Sequence, residues 1–376
     1  DSSPADDDDS SPADDDDSSP ADDDDSAGGD DDDSAAPGVF VGDVSLSSPA
    51  AMSWFCASWD RVEGQLLIAN SQGADLGELA CLRSVSGDLR IAASSLETAA
   101  LPALQELGGA LVIAGNQLLQ SVDFPGLTSA AALDISSNPQ LQDLTGLAAL
   151  ETVVGDVELH SNGLLQHASL PALLTVGGLF KVQSNPALEV FRADALVSVG
   201  AEASVRFCVV LQELRLPSLE TVGGMLRISS NPMLPEIALV ELLSVGGGVY
   251  VGLNQGLSVV RMPILSLVDS LRISDNPSLP EIQLGGLTLV QQDFHVAVNN
   301  SLPELSLPFL SVVGGDFYLG SNASLASLGL PALQSVGGEF RVTFNQSLAT
   351  SAVQAIVDAL GSSIGGDVLL DGNAPG

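Results

Sequence analysis

A repeat of about 23 residues fills the chain from Gly64 to Asn373 and limits what the chain can fold into. The copy from Gly224 to Gly246 reads GMLRISSNPMLPEIALVELLSVG, and the general template is G-x-L-x-I-x-x-N-P-x-L-x-x-L-x-L-P-x-L-x-x-V-G. Self-similarity at this period is typical of solenoids, in which each repeat buries its apolar residues only against its neighbours. The sequence therefore predicts a repeat architecture without a single central core.

Each repeat contains a G-x-L-x-I segment whose alternation of apolar and polar residues predicts a strand with one face inward. Fourteen apolar pairs follow this pattern: Leu66/Ile68, Leu89/Ile91, Leu111/Ile113, Leu133/Ile135, Val157/Leu159, Phe180/Val182, Val205/Phe207, Leu226/Ile228, Val249/Val251, Leu271/Ile273, Phe294/Val296, Phe317/Leu319, Phe340/Val342 and Val368/Leu370. Strands that recur at this interval stack in parallel, one per coil, about 4.8 Å apart. The predicted fold class is all-β dominated: a parallel β-solenoid of about 14 coils.

The eighth template position is predicted to form an internal asparagine ladder, because Asn tolerates unusual backbone angles and bonds turn amides. Asn occupies it in eleven of the fourteen coils: Asn116, Asn138, Asn162, Asn185, Asn231, Asn254, Asn276, Asn299, Asn322, Asn345 and Asn373. Asn299, Asn322 and Asn345 begin N-x-S sequons, and an inward side chain would be closed to glycosylation. The L-P and V-G-G segments are predicted to turn the chain, giving three short sides per coil.

Both ends of the solenoid carry predicted caps around the repeats of residues 64–349. Residues 37–63 contain both tryptophans, which suit a cover for the first coil, although aromatic clusters also form ligand pockets. Cys56 and Cys81 are expected to form a disulfide there if the protein is exported, the alternative being two free buried thiols. Residues 350–376 form the C-terminal cap, with apolar residues at helical spacing from Ser351 to Leu360.

Charge is concentrated at the N-terminus, since residues 1–35 hold 17 of the 48 acidic residues and no basic residue. Residues 1–36 are therefore predicted to be a disordered acidic tether, and residues 37–376 a single solenoid domain. The net charge of −37 argues against nucleic acid as a partner. No transmembrane segment is expected. The chain begins at Asp1 instead of Met, which fits removal of a signal peptide.

The segments LPALQSVGGEFRVTFNQSL and LPSLETVGGMLRISSNPML resemble the receptor L domain of the insulin and epidermal growth factor receptors. They are also similar to fungal cell-wall proteins of the Ecm33 type. The resemblance implies a right-handed solenoid related to leucine-rich repeats and displayed outside the cell. The Asp-rich segment is similar to linkers of bacterial surface lipoproteins, which implies a lipid anchor before residue 1. The expected location is therefore extracellular, at the cell surface.

The residue between the two apolar positions of each strand is expected to point outward and to form a column along the solenoid. From Lys181 to Arg341 this column is predicted to contain only basic or aromatic residues: Lys181, Arg206, Arg227, Tyr250, Arg272, His295, Tyr318 and Arg341. Guanidinium groups bind carboxylates, and Tyr offers a ring and a hydroxyl. The column therefore suggests a non-enzymatic recognition or adhesion surface for an anionic glycan or a surface protein.

Two alternatives to a binding face remain open at this point. Asp88, Asp293, Asp316 and Glu339 stand two residues before column members, and cross-strand ion pairs would make the column an ordinary solvated face. The protein would then be a structural envelope spacer. No enzyme motif, metal-ligand spacing or cofactor fingerprint occurs, so neither a catalytic site nor a cofactor is expected. Cys208 is expected to lie outward after Phe207, with Val210 in place of the ladder asparagine.

Overall fold

The computed structural model describes residues 38–71 and 75–376, and residues 37–376 form one compact unit. The predicted acidic tether of residues 1–36 lies outside the described residues. The unit is a parallel β-solenoid in which each coil has three sides. On the first side, fourteen strands from Leu66–Ala69 to Val368–Leu369 form thirteen successive parallel pairs. The predicted parallel β-solenoid is therefore confirmed.

The strands of the first side carry the L-x-I motif. They are Val44–Leu46, Leu66–Ala69, Leu89–Ala92, Leu111–Ala114, Leu133–Ser136, Val157–His160, Phe180–Gln183, Ala203–Arg206, Leu226–Ser229, Ser244–Gly252, Leu267–Ser274, Phe294–Ala297, Phe317–Gly320, Phe340–Thr343 and Val368–Leu369. The second side consists of short separate sheets. Its strands are Thr98–Ala100, Ser121–Asp123, His167–Ser169, Val190–Arg192, Glu213–Arg215, Glu236–Ala238, Val259–Arg261, Glu281–Gln283, Glu304–Ser306 and Ser327–Gly329.

The third side leads back into the first through the V-G bend. Its strands are Gly38–Val41, Trp59–Glu63, Ser84–Val85, Glu106–Leu107, Ser129–Ala130, Thr152–Val153, Thr175–Val176, Ser198–Val199, Thr221–Val222, Leu289–Val290, Val312–Val313 and Ser335–Val336. Ser244–Gly252 and Leu267–Ser274 run through both sides and pair with neighbours on each. Gly223 lies so close to the preceding coil that a Cβ there would approach the Gly200 carbonyl oxygen to 2.1 Å, so only glycine fits this bend.

The core is a continuous apolar stack inside the three sides. The rings of Phe294, Phe317 and Phe340 lie nearly parallel, with centroids 4.8 and 5.0 Å apart, which is the spacing of stacked strands. The asparagine ladder lies beside this stack and is fully buried except at its last member. For example, Asn254 Oδ1 accepts from the Asn231 amide at 3.0 Å, while its Nδ2 donates to the Ile228 carbonyl at 3.1 Å. The ladder thus bonds turn amides that stacking alone leaves unpaired, and the buried sequon asparagines are closed to modification in the folded protein.

One coil has a different register from the predicted one. Ala203 and Val205 are its inward pair, because they align with Phe180 and Val182 of the preceding coil. The predicted pair Val205/Phe207 is therefore wrong, and Phe207 is exposed. Cys208 occupies the ladder position that the prediction gave to Val210, is fully buried, and donates its amide to Asn231 Oδ1 at 3.1 Å. The sequence pattern gave the wrong register for this coil because Ala203 is only weakly apolar and because V-x-F matches the strand motif.

Both predicted caps are present. At the N-terminus, helix α1 (Pro49–Cys56) packs with Phe40 and Trp59 in an aromatic cluster, and Cys56 is disulfide-bonded to Cys81. At the C-terminus, helix α2 (Thr350–Leu360) buries Val353 and Leu360 and is followed by Gly361. Two single-turn 3₁₀ helices, Gly77–Leu79 and Gly361–Ser363, complete the helical content of the described residues.

Candidate functional site

The outward column of the first side exists as a register-aligned stack of side chains. In the coil of Ala203 its member is the buried Ser204, because the register differs there. The predicted member Arg206 lies two residues further along the same strand, beside Gln183 of the previous coil. The column therefore reads Leu67, Arg90, Val112, Asp134, Glu158, Lys181, Ser204, Arg227, Tyr250, Arg272, His295, Tyr318, Arg341 and Leu369.

Tyr250 lies between two guanidinium groups. The Cζ atoms of Arg227 and Arg272 are 5.7 and 5.9 Å from the centre of its ring, from the coils before and after. The ring leans across Gly252, where a Cβ would lie 2.5 Å from the tyrosine hydroxyl oxygen, so this small residue lets the ring lie flat. Cation–π contact holds the two arginines in place and leaves most of their N–H donors free for a ligand.

The next three coils continue the stack with rings and a further arginine. The rings of His295 and Tyr318 are 4.6 Å apart, and Arg341 lies over Tyr318 with its Cζ 5.8 Å from the ring centre. Burial, reinforced by the positive charge of Arg272, lowers the pKa of His295 from 6.5 to about 4. His295 is therefore neutral at pH 7, and its ring contributes a planar surface without a charge. A shallow pocket of about 360 Å³ lies over this group.

Ion pairs occur at only some members of the column. Lys181 Nζ lies 2.9 Å from Glu158 Oε1, and Arg341 pairs with Glu339. The aspartates that were candidates for such pairing mostly act otherwise: Asp88, Asp293 and Asp316 accept backbone amides of the following coil at 2.8 to 2.9 Å. The solvated-face interpretation thus fits the two ends of the basic and aromatic run but not its centre.

Arginines of the second side provide a direct comparison. Arg192 makes a two-pronged pair with Glu213 at 2.9 and 2.8 Å, which raises the pKa of Arg192. Arg215 Nε lies 2.9 Å from Asp194 Oδ1, and Arg261 pairs with Glu236. The second side therefore neutralises its cations within the fold. The sequence analysis did not single out these arginines, although each has an acidic residue on its own or a neighbouring coil.

Four arginines of the described ranges have no carboxylate oxygen within 4.0 Å: Arg90, Arg206, Arg227 and Arg272. Arg206 contacts Gln183 Oε1 at 3.0 Å, Arg227 contacts Met225 Sδ at 3.1 Å, and Arg272 contacts Ser274 Oγ at 3.2 Å. The Nε atoms of Arg206 and Arg227 are buried without a hydrogen-bond partner. Three cations that lack an acid are thus gathered on four successive coils of one side.

Metal sites, membrane-spanning helices and reactive cysteines are the other features that could carry function in the described residues. Within residues 38–71 and 75–376, no group of three or more His, Cys, Asp or Glu side chains could hold a metal ion. The same residues contain no helix with the length and apolar character that a membrane crossing needs. The Cys208 thiol is buried, and burial raises its pKa to about 11, so it is not a reactive nucleophile at neutral pH.

The described residues form a parallel β-solenoid whose first side carries the column. No family model and no curated protein matches the chain. A solved structure, a leucine-rich repeat protein from Bacteroides ovatus, matches at 12% identity over 73% of this chain and 84% of that one, with a TM-score of 0.17. At this TM-score the similarity says nothing about the fold. The fold assignment rests on the register of the paired strands in this structure. The resemblance to receptor L domains and Ecm33-type proteins stays a prediction.

Proposed function

We propose that this protein is a non-enzymatic recognition protein of the cell exterior that binds an acidic glycan through its first side. The observation that carries the proposal is the cluster of acid-free arginines: Arg206, Arg227 and Arg272. Six of the ten arginines in the described residues pair with an acidic side chain, including all three on the second side, whereas these three do not. A carboxylate ligand would supply the missing partners.

The shape of the face also favours an extended ligand. Column members repeat once per coil, at about 4.8 Å, so a ligand that follows the solenoid meets the same kind of surface several times. Flat rings and guanidinium planes suit the faces of sugars, because such contacts are apolar and planar at once. The Cys56–Cys81 disulfide supports export, since disulfides persist in oxidising compartments. Tethering through residues 1–36 and a lipid anchor before residue 1 belong to the same proposal.

The test is binding of the full chain to an array of acidic and neutral glycans, measured beside two double variants. One variant carries Arg227→Gln and Arg272→Gln, and the matched control carries Arg192→Gln and Arg215→Gln, which removes equal charge from the second side. The first variant is expected to lose acidic-glycan binding about tenfold or more, because each lost charge-assisted contact contributes at least about 1 kcal/mol. The control is expected to bind like the parent.

Circular dichroism of both variants checks that the fold is intact. Binding that both variants lose equally would show that net charge alone attracts the glycan, and would overturn the proposed site. Binding to no glycan would favour the spacer function, and capture of a surface protein by the first side would replace the glycan with a protein ligand.

A further inference from the structure

The residue before the ladder position, which holds Ser71, Ser94 or Cys208 in three coils and Asn in the others, has a left-handed backbone conformation. Its φ lies between 47° and 62° in twelve described coils that carry a residue other than glycine here. Glycine, Asn and Asp adopt this conformation most readily, and bulky or β-branched side chains resist it. Serine is the commonest occupant: Ser137, Ser161, Ser184, Ser230 and Ser321. The turn at this corner imposes the conformation on every coil, including the three whose ladder position does not hold asparagine.

Four coils place a large apolar residue in this strained position, and they are every second coil. The four are Phe207, Leu253, Val298 and Phe344, with exposed fractions of 49%, 44%, 38% and 59%. These side chains are unfavourable to the backbone and do not fill the core, so stability does not account for them. Strain retained at exposed positions is instead typical of residues that contact a partner. We call this set the apolar row.

The apolar row alternates with Arg227 and Arg272, whereas the third acid-free arginine, Arg206, lies in the same coil as Phe207. In order along the solenoid the coils present Phe207, Arg227, Leu253, Arg272 and Val298. Neighbouring members are one coil apart, and like members are two coils apart, or about 9.6 Å. From the coil of Arg227 to that of Val298, the strand positions between the row and the column hold small buried residues: Ser229, Gly252, Ser274 and Ala297. Because these residues are small, the arginines of the column and the side chains of the apolar row are both accessible to one extended ligand.

We propose that the first side binds an extended acidic glycan in which a uronic acid alternates with an N-acetylated neutral sugar. The inference rests on the proposed function and names the class of its ligand. Carboxylates two sugars apart would meet Arg227 and Arg272, which are two coils apart, through charge-assisted hydrogen bonds. The acetyl methyl and apolar sugar face would contact Leu253 and Val298 in the coils between and after them.

A glycan with an acid on every sugar fits this surface less well. Every second carboxylate would lie against Leu253 or Val298 and would lose water without gaining a partner, which is unfavourable. A neutral N-acetylated glycan would leave both guanidinium groups without an acid. Asp275, in the coil of Arg272, occupies the row position between Leu253 and Val298 and can accept a sugar hydroxyl.

The experiment measures the affinity of the full chain for three oligosaccharide families of equal length by fluorescence anisotropy. Hyaluronan oligosaccharides alternate acidic and N-acetylated sugars, oligogalacturonates carry an acid on every sugar, and chitin oligosaccharides carry none. We expect hyaluronan to bind about tenfold tighter than oligogalacturonate and chitin to bind least. Equal or tighter binding of oligogalacturonate would overturn the alternation and leave the acidic-glycan function standing. Binding of none of the three would contradict both.

A double variant, Leu253→Ser with Val298→Ser, isolates the apolar row. Serine occupies the same position in neighbouring coils, so the variant should fold, and it should melt at an equal or higher temperature because strain is relieved. We expect its preference for hyaluronan over oligogalacturonate to fall to about onefold, because hyaluronan loses its apolar contacts and oligogalacturonate no longer desolvates carboxylates against Leu253 and Val298. The control Met233→Ser removes a more exposed apolar residue, 54% exposed, elsewhere on the surface and should keep the preference. A preference retained in the double variant would overturn the inference.

Discussion

At the scale of single residues, Cys208 marks a break in the asparagine ladder. Asn162 bonds Asn185, and Asn231 bonds Asn254, but no side-chain amide stands between Asn185 and Asn231. The backbone amide of Asn185 faces the Cys208 thiol, whose sulfur is a weaker acceptor than an amide oxygen. The ladder therefore consists of two runs of asparagines, one ending at Asn185 and one beginning at Asn231, with the Cys208 side chain between them.

Replacing Cys208 with Asn should join the two runs. The new side chain would accept the Asn185 backbone amide and donate to a carbonyl of the preceding coil, as the other ladder members do. We expect the free energy of unfolding to rise by about 1 kcal/mol, from a gained buried hydrogen bond. Urea denaturation measures this change, with Cys208→Ser as control. A variant less stable than the serine control would show that the site cannot hold an amide.

His295 makes stability depend on pH in a defined window. The unfolded chain takes up the proton near the ordinary pKa of 6.5, whereas the folded chain takes it up only near pH 4. Between these values the unfolded state binds more protons, so the folded protein loses stability as pH falls from 6.5 to 4. His295→Gln should remove this part of the loss. Melting temperatures at several pH values test it, and parallel curves for parent and variant would contradict it.

At the scale of coils and caps, most of the fold could be predicted from sequence because it depends on local pattern. Period, parallel stacking, the asparagine ladder and the α2 cap each follow from residue spacing. The register of the coil at Ala203 could not be predicted, because alanine resembles neither a strand core residue nor a polar one. The acid-free state of Arg227 and Arg272 could not be predicted either, since it depends on distances between side chains of different coils.

The N-terminal cap is stabilised by the disulfide between Cys56 and Cys81, whose sequence separation is 25. A closed loop of this size contributes about 3 kcal/mol through the unfolded state. In a solenoid each coil contacts only its neighbours, so the loss should stay local. With both cysteines changed to alanine, we expect faster amide exchange in the first coils and unchanged exchange from Asn254 onward.

Hydrogen exchange with mass spectrometry gives this profile along the chain. The same measurement on the parent under reducing conditions serves as a control for the two substitutions. Uniformly faster exchange over all coils would contradict the account, because it would mean that the solenoid unfolds as one cooperative unit.

At the scale of the whole folded unit, the first and second sides differ in how their arginines are paired. The second side pairs Arg192, Arg215 and Arg261 with acids and needs no ligand. The first side holds Arg227 and Arg272 against Tyr250 without an acid, beside an apolar row that strains the backbone. A structural spacer without a ligand would not require this difference between its sides. This difference is the basis for proposing the first side as the functional face of the solenoid.

The most direct test of this claim is a nuclear magnetic resonance titration that follows the side-chain Nε–H signals of the arginines. Hyaluronan oligosaccharide is added to the full chain, and the signals are assigned through single Arg→Lys variants. The account predicts that the signals of Arg227 and Arg272 shift together and saturate, while those of Arg192, Arg215 and Arg261 stay fixed. Shifts on the second side, or none at Arg227 and Arg272 with the glycan bound, would contradict it.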